Sequence, residues 1–365
     1  VNSISREVAI VGVGLTPQGN LPGSTNLSLQ TDAFALALAD SGLAKTDIDG
    51  LLSEPGTTDM HWALDYLRLA RALGINPSYT GSFAMGGATA GNLVQLAAMA
   101  VSTGMANYVA CCFGDAAKTG KKRPLFAAGG YLGTETANNS AWGAFGAATW
   151  SGLTASRHMA LYGTTSEQLG EVAVAARGHA ALNPAAMMRT PITLADHQAS
   201  RMIVEPFHLL DCCLVSDGGA CLIVTTTERA RDLAQPVVSI AGMGQGFISQ
   251  DHESEQWWYG PHQRDAMDRA YAMAGLGPQD VDVAELYDNC TPGSARRARA
   301  VRSSRTAGSG SGASCPSIPT AVTCRPGTRR AGGRSPRASS SCAVSPARAR
   351  CRAPRLPSSV AGGWS

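Results

Sequence analysis

Few residues in this 365-residue chain carry spacing that reads directly as chemistry. The seven histidines, from His61 to His262, show no metal-ligand pattern such as H-E-x-x-H and read as packing or surface residues. Gly12-Val13-Gly14 follows an apolar run, as a dinucleotide fingerprint would, but LTPQGNLPG comes next, with two prolines and no immediate helix. Ser216-Asp217-Gly218-Gly219 has no Gly two residues before the serine. It is a turn before a strand, not a G-x-S-x-G elbow. What remains is a helix start and a basic cluster. Gly87-Ala88-Thr89-Ala90-Gly91 opens an apolar helix with small residues that leave backbone N–H groups bare, a place where an anionic oxygen can be held. The same small residues also let a buried helix pack closely, and the two readings are compatible. Lys118, Lys121, Lys122 and Arg123 form a cluster that on its own reads as a solvated loop.

The elements that must position these residues alternate. Residues 7–14 form an apolar run of strand length ending in glycines, 27–42 carry helical spacing and stop at Ser-Gly, 49–53 read as a strand and 63–73 as a helix. Residues 79–87 are a turn-rich approach to an almost wholly apolar helix at 88–102, expected to be buried on all sides, and 108–114 are a strand. This order predicts a layered α/β fold with helices on both faces of a sheet. Residues 115–205 break the rhythm, with helices at 148–161 and 166–181, and look like an excursion over one end of the sheet. A closing strand at 220–225 follows. The opening pattern then recurs, with a strand at 237–242, a helix at 261–274 and an alternating strand at 280–287, which suggests a duplicated unit.

At Ser294 the grammar stops. Residues 294–365 contain no Asp, Glu, Lys, Asn, Gln, His, Phe, Tyr or Met, and are dominated by Arg, Ala, Ser, Pro and Gly, all encodable by G- and C-rich codons. We read them as out-of-frame translation that does not fold; a natural basic disordered tail is the other reading. The division also explains the charge. Residues 1–293 hold all 27 acidic residues and 16 of the 30 basic ones, a net of −11, so the folded part offers nothing to nucleic acid. The expected domains are 1–235, with the excursion inside it, 236–293, and the aberrant tail. No secretory leader and no membrane span is evident. Six of the ten cysteines lie before 294, with no C-x-x-C spacing, and read as buried thiols in a reducing cytoplasm.

Five phrases carry a resemblance: VAIVGVGLTP at 8–17, GGATAGNLVQLAAMAV at 86–101, HMALYGTTSEQLGEVAVAARGHAALNPAA at 158–186, DHQASRMIVEPFHLLDCCLVSDGGACLIV at 196–224 and AELYDNCTPG at 284–293. In order and spacing they resemble the lipid-transfer-protein-like branch of the thiolase superfamily, whose members are often labelled acetyl-CoA acetyltransferases and include aldolases acting on steroid side-chain CoA thioesters. The resemblance implies a five-layer αβαβα fold of two similar halves, here with the second half incomplete. It also implies a cytoplasmic homodimer and acyl-CoA substrates. Coenzyme A then enters as part of the substrate, with no covalently bound cofactor and no metal. In the aldolase branch it implies a small OB-fold partner with a zinc ribbon.

The resemblance also assigns roles. Gly87 falls in the slot of the thiolase nucleophile and has no thiol, so acyl transfer through a cysteine is not expected; Gly87 and Ala88 become the oxyanion-binding backbone. Tyr287 and Asp288 fall where thiolases place a catalytic loop, and in aldolase-like relatives a tyrosine in this ELYD phrase is a candidate proton donor or acceptor. The C-terminal Gly-His motif of thiolases is absent. Lys121, Lys122 and Arg123 are candidates for the coenzyme A phosphates. The reading favours carbon–carbon bond cleavage by retro-aldol chemistry. The alternatives are a non-catalytic acyl-CoA or lipid-binding subunit, or an acyltransferase whose activity is lost in this chain.

Overall fold

The computed structural model describes residues 4–57, 64–120, 147–247, 261–285 and 322–323. They lie in the first of two compact units, Val1–Arg325; the second, Pro326–Ser365, lies outside them.

One mixed sheet organises this unit, in the order β3-β2-β4-β7-β1-β8-β9. The strands are β1 (Val8–Leu15), β2 (Gly50–Pro55), β3 (Tyr79–Ser82), β4 (Val109–Ala116), β7 (Asp217–Thr226), β8 (Val238–Gly242) and the two-residue β9 (Val322–Thr323). Strand β2 runs parallel to β3 and β4, while β7 is antiparallel to both β4 and β1. Alternation along β2 shows the sheet's two faces. Leu51 packs in one core with Ala33, Phe34 and Ala37 of α1 (Asn26–Ser41) and with Leu69 of α2 (Asp65–Leu73). Leu52 packs in the other with Leu93, Ala97 and Val101 of α3 (Thr89–Ser102). Helices on both faces are as expected. Two local expectations are corrected. Residues 79–82 form an edge strand because Tyr79, Thr80, Gly81 and Ser82 pair in register with β2, which a polar four-residue segment does not advertise. Asp217, Gly218 and Gly219 are the first rungs of β7, not a turn, because each opposes a residue of β4.

The excursion carries its own small core. Helices α4 (Ala147–Tyr162), α5 (Ser166–Leu182) and α6 (Leu194–Ala199) meet the hairpin β5–β6 (Met202–Val204, Phe207–His208) around Ala155, Leu169 and Phe207. His197 is wholly buried there, with Nε2 2.9 Å from Asp211 Oδ1, so this histidine holds the excursion together.

The first βα unit is repeated. Gly12 and Gly14 of β1 lie so close to α1 that a Cβ on Gly14 would sit 2.0 Å from the Ala33 carbonyl oxygen, and one on Gly12 2.6 Å from that of Ala37. Beyond the short helix α7 (Thr227–Ala230), a Cβ on Gly242 at the end of β8, or on Gly244 or Gly246 after it, would sit 2.1, 1.8 or 1.9 Å from the carbonyl oxygen of Ala270, Ala266 or His262 on α8 (Pro261–Ala274). Both helices are followed by a left-handed glycine, Gly42 at φ 75° and Gly275 at φ 64°. Both then enter a 3-10 turn, Lys45–Asp47 or Pro278–Asp280, where Asp47 accepts the Ala44 N–H and Asp280 that of Gly277, each at 2.8 Å. The pairs Ala37/Ala270, Gly42/Gly275 and Asp47/Asp280 share one sequence offset. The repeat then ends. The strand expected at 280–287 is not formed at 281–285, and Val283 is 77% exposed. A strand needs neighbours: β2 has β3 and β4, whereas the described residues after 293, Val322 and Thr323, form a strand against the expectation that this segment does not fold, and they pair with β8 instead.

Candidate active site

The carboxyl ends of parallel β2 and β4 open beside the N-termini of α1, α2 and α3, where ligands of open α/β sheets sit. The chain turns into α3 through Gly86, at φ 60°, with Gly87 and Ala88 exposed ahead of the helix. Thr89, the first helical residue, is fully buried. Its hydroxyl donates to the Gly86 carbonyl at 2.7 Å and accepts the Met85 N–H at 2.8 Å, which fixes the turn. Ala90 is exposed, and a Cβ at Gly91 would meet nothing within 4 Å, so the helix mouth is open along these small residues. α3 is not buried on all sides: Met99 is 44% exposed, because the described residues cover mainly the flank bearing Leu93, Ala97 and Val101.

Beside this mouth stand two carboxyl groups that the sequence reading did not single out. Glu54, near the end of β2, lies close to the Thr89 hydroxyl. Burial pushes its pKa up to about 7; the nearby Thr89 hydroxyl opposes the rise and the neighbouring Asp115 adds to it. Asp115, near the end of β4, accepts the backbone N–H of Thr57 at 3.0 Å and also its hydroxyl. Asn26 of α1 takes the Ala116 N–H at 2.8 Å, and Gln30 donates to the Glu54 carbonyl at 3.2 Å and to Asp65 of α2 at 2.9 Å. The signal was there: a lone acid closing an apolar strand, in GLLSEP and in VACCFGDA, reads as a turn until the strands are known to be parallel and to end together.

Of the residues assigned from sequence, Gly87 and Ala88 stand at the helix mouth as described. Tyr287, Asp288, Lys121, Lys122 and Arg123 lie outside the described residues. Lys118 is exposed, and its backbone is anchored. Asp217 accepts the N–H groups of Lys118 (2.7 Å), Thr119 (3.0 Å) and Leu21 (2.9 Å) and the Thr119 hydroxyl (2.8 Å). Burial works against the charge of Asp217, and these donors outweigh it and hold its pKa below the ordinary value. Cys111, Cys112 and Cys221 are buried as expected, but Cys213 is exposed, because it lies in the connection before β7 and not in the sheet. Among the described residues no group of His, Cys, Asp and Glu could hold a metal ion, and no helix is long and apolar enough to cross a membrane.

No protein-family model matches the chain. A steroid side-chain-cleaving aldolase of Thermomonospora curvata is 40% identical over 296 residues, covering 78% of this chain and 74% of its own. A 17-hydroxy-3-oxo-4-pregnene-20-carboxyl-CoA lyase of Mycobacterium tuberculosis is 37% identical over 302 residues, covering 79% and 77%. Among solved structures, an Ltp2-ChsH2(DUF35) aldolase superposes with a TM-score of 0.70 at 38% identity, over 79% of this chain and 75% of that one. The chain belongs to the thiolase superfamily, in the branch that holds the steroid side-chain-cleaving aldolases.

Proposed function

We propose that this chain is the thiolase-like subunit of an aldolase that breaks the carbon–carbon bond between the α- and β-carbons of a β-hydroxyacyl-CoA, with a steroid side chain as the acyl group. The observation that carries this reading is the identity of 37–40% to two relatives named for such cleavages, across three quarters of their length. In the reaction a base takes the β-hydroxyl proton, the β-carbon becomes a carbonyl, and the bonding electrons pass to the α-carbon as a thioester enolate. An acid then protonates the α-carbon and releases the shortened acyl-CoA. Backbone N–H groups at Gly87 and Ala88 hold the thioester oxygen as its charge develops. No sulfur nucleophile is required, since the bond is broken without acyl transfer to the protein. Tyr287 and Asp288 are assigned to the proton transfers, and Lys121, Lys122 and Arg123 to the coenzyme A phosphates. Coenzyme A is carried in by the substrate. The partner is a small OB-fold protein with a zinc ribbon, in line with the two-component aldolase that this chain superposes on, and the assembly is a cytoplasmic homodimer of such pairs.

The test is incubation of the chain with a β-hydroxyacyl-CoA of a steroid side chain, with and without that partner. A ketone and a shortened acyl-CoA are expected. Binding of the thioester with neither product, in both cases, overturns the proposal and leaves an acyl-CoA-binding subunit.

A further inference from the structure

Threonines cap other helices of this chain from outside. Thr25, Thr165 and Thr193 stand in extended backbone ahead of α1, α5 and α6, and each accepts an N–H of the first turn. Thr89 is placed differently. It is the first residue of α3, and the residue before it, Ala88, makes no side-chain cap. The Thr89 hydroxyl faces back along the chain: it accepts the Met85 N–H at 2.8 Å and donates to the Gly86 carbonyl at 2.7 Å. The Thr89 N–H returns to the same carbonyl at 3.1 Å. One buried residue thus ties Met85 and Gly86 to the start of the helix, with exposed Gly87 and Ala88 looped between the tied ends. This threonine fixes the turn and leaves the helix mouth open.

Such a turn needs holding. Gly86 is left-handed, at φ 60°, and two successive glycines, Gly86 and Gly87, give the backbone its widest freedom. Backbone donors stabilise a developing oxyanion only when they are aimed before the charge appears. We propose that Thr89 is a positioning residue for the thioester oxygen: its buried hydroxyl, spanning Met85 and Gly86, sets the direction of the Gly87 and Ala88 N–H groups. The one hydroxyl proton is committed to the Gly86 carbonyl, so Thr89 acts through the turn and not as a donor to the substrate. The consequence for turnover rests on the aldolase reading above; the clasp itself does not.

The full chain carrying Thr89→Val, which keeps the shape and loses the hydroxyl, tests this beside Thr89→Ser, which keeps the hydroxyl. In hydrogen exchange the Met85 amide should lose protection about fivefold in Thr89→Val, as for one lost hydrogen bond, and keep it in Thr89→Ser. With a β-hydroxyacyl-CoA as probe and the OB-fold partner present, kcat of Thr89→Val should fall about tenfold or more, as for misaimed groups. Its KM should stay within about twofold, because the lost interaction is made in the transition state. Thr89→Ser should recover most of kcat. An unchanged kcat in Thr89→Val, a loss carried by KM alone, or a loss that Thr89→Ser does not rescue overturns the proposal. Should Thr89→Val fail to fold, the wild type still decides: its Met85 amide, on an exposed residue, should exchange at least about tenfold more slowly than an unstructured amide, and an unprotected Met85 overturns the clasp. Exchange that follows the hydroxyl in a wild type without turnover would keep the clasp and remove the aldolase reading, so the two failures are distinguishable.

Discussion

The β1–α1 and β8–α8 units are built alike and end differently. Each threads strand glycines against a helix backbone, turns at a left-handed glycine and closes a 3-10 turn on an aspartate. In the first unit the chain then enters β2, where β3 and β4 pair on either side. Asp49 seals that corner: its carboxylate accepts the N–H groups of Asn107 and Tyr108 and the Asn107 amide. In the second unit the matching Asp282 is exposed, in a segment without strand structure. Local sequence thus suffices to build a βα unit and its turn, whereas a strand exists only when partners are supplied from elsewhere in the chain.

The largest expected effect compares the glycine contacts. Gly14→Ala drives a methyl into the Ala33 carbonyl in the middle of the sheet, and we expect a loss of 3 kcal/mol or more, roughly, in urea unfolding. Gly244→Ala meets an equally short approach to Ala266, but the second unit has fewer neighbours to hold it. Local detachment of α8 should cap the cost at about 1–2 kcal/mol. Hydrogen exchange then sees α8 open while β1 stays protected. Equal global losses for the two variants would mean that the second unit is as firmly integrated as the first.

The aspartates sharpen the contrast at a smaller scale. Asp49→Ala leaves two backbone N–H groups and a side-chain amide without their acceptor, at a cost of roughly 2 kcal/mol. Asp282→Ala should change stability by less than about 0.5 kcal/mol, as for an exposed residue outside any network. Supplying the missing partners should remove the difference. If the coding sequence is read in another frame after codon 293, acidic residues and a closing strand should reappear. In the frame-corrected protein the amides at 281–285 should then become protected, and Asp282→Ala should become costly. If no frame restores such a pattern, the out-of-frame reading of residues 294–365 is wrong.

Most of this frame was legible from the chain alone. The apolar runs of β1, β4 and β8 and the helical spacing of α1, α5 and α8 fall within a few residues of the observed elements, because each is decided by its own periodicity and its closing residues, Asn183-Pro184 after α5 and a glycine in the others. The same reasoning failed wherever pairing decides. Tyr79–Ser82 is a strand only because β2 lies beside it, and residues 281–285 are not one despite alternation. The site was legible in its outline and not in its carboxylates. The small residues at 87–91 announce an open helix mouth. Glu54 reveals itself only once β2 and β4 are parallel and Thr89 is placed against it.

The offset that relates the two units, carried forward in the sequence, matches Glu54 with Tyr287, so each repeat has a titratable residue at this position. The two should separate by pH. Glu54 holds its proton more tightly in the fold, with a pKa raised from 4.5 to about 7. Folding stability should therefore fall as pH rises from about 4.5 to about 7, where the folded chain binds more protons than the unfolded one, and level off above. The full shift overstates the size, because Glu54 is only partly buried. After allowance for solvent screening, the slope should amount to about 1 kcal/mol over that range. Glu54→Gln should flatten it and be the more stable protein at pH 8 by that amount, in urea titrations at pH 5 and pH 8. A tyrosine titrates near 10, so Tyr287→Phe should leave the slope between pH 5 and 8 as it is. A slope that survives in Glu54→Gln and vanishes in Tyr287→Phe would move the near-neutral proton from the first half to the second.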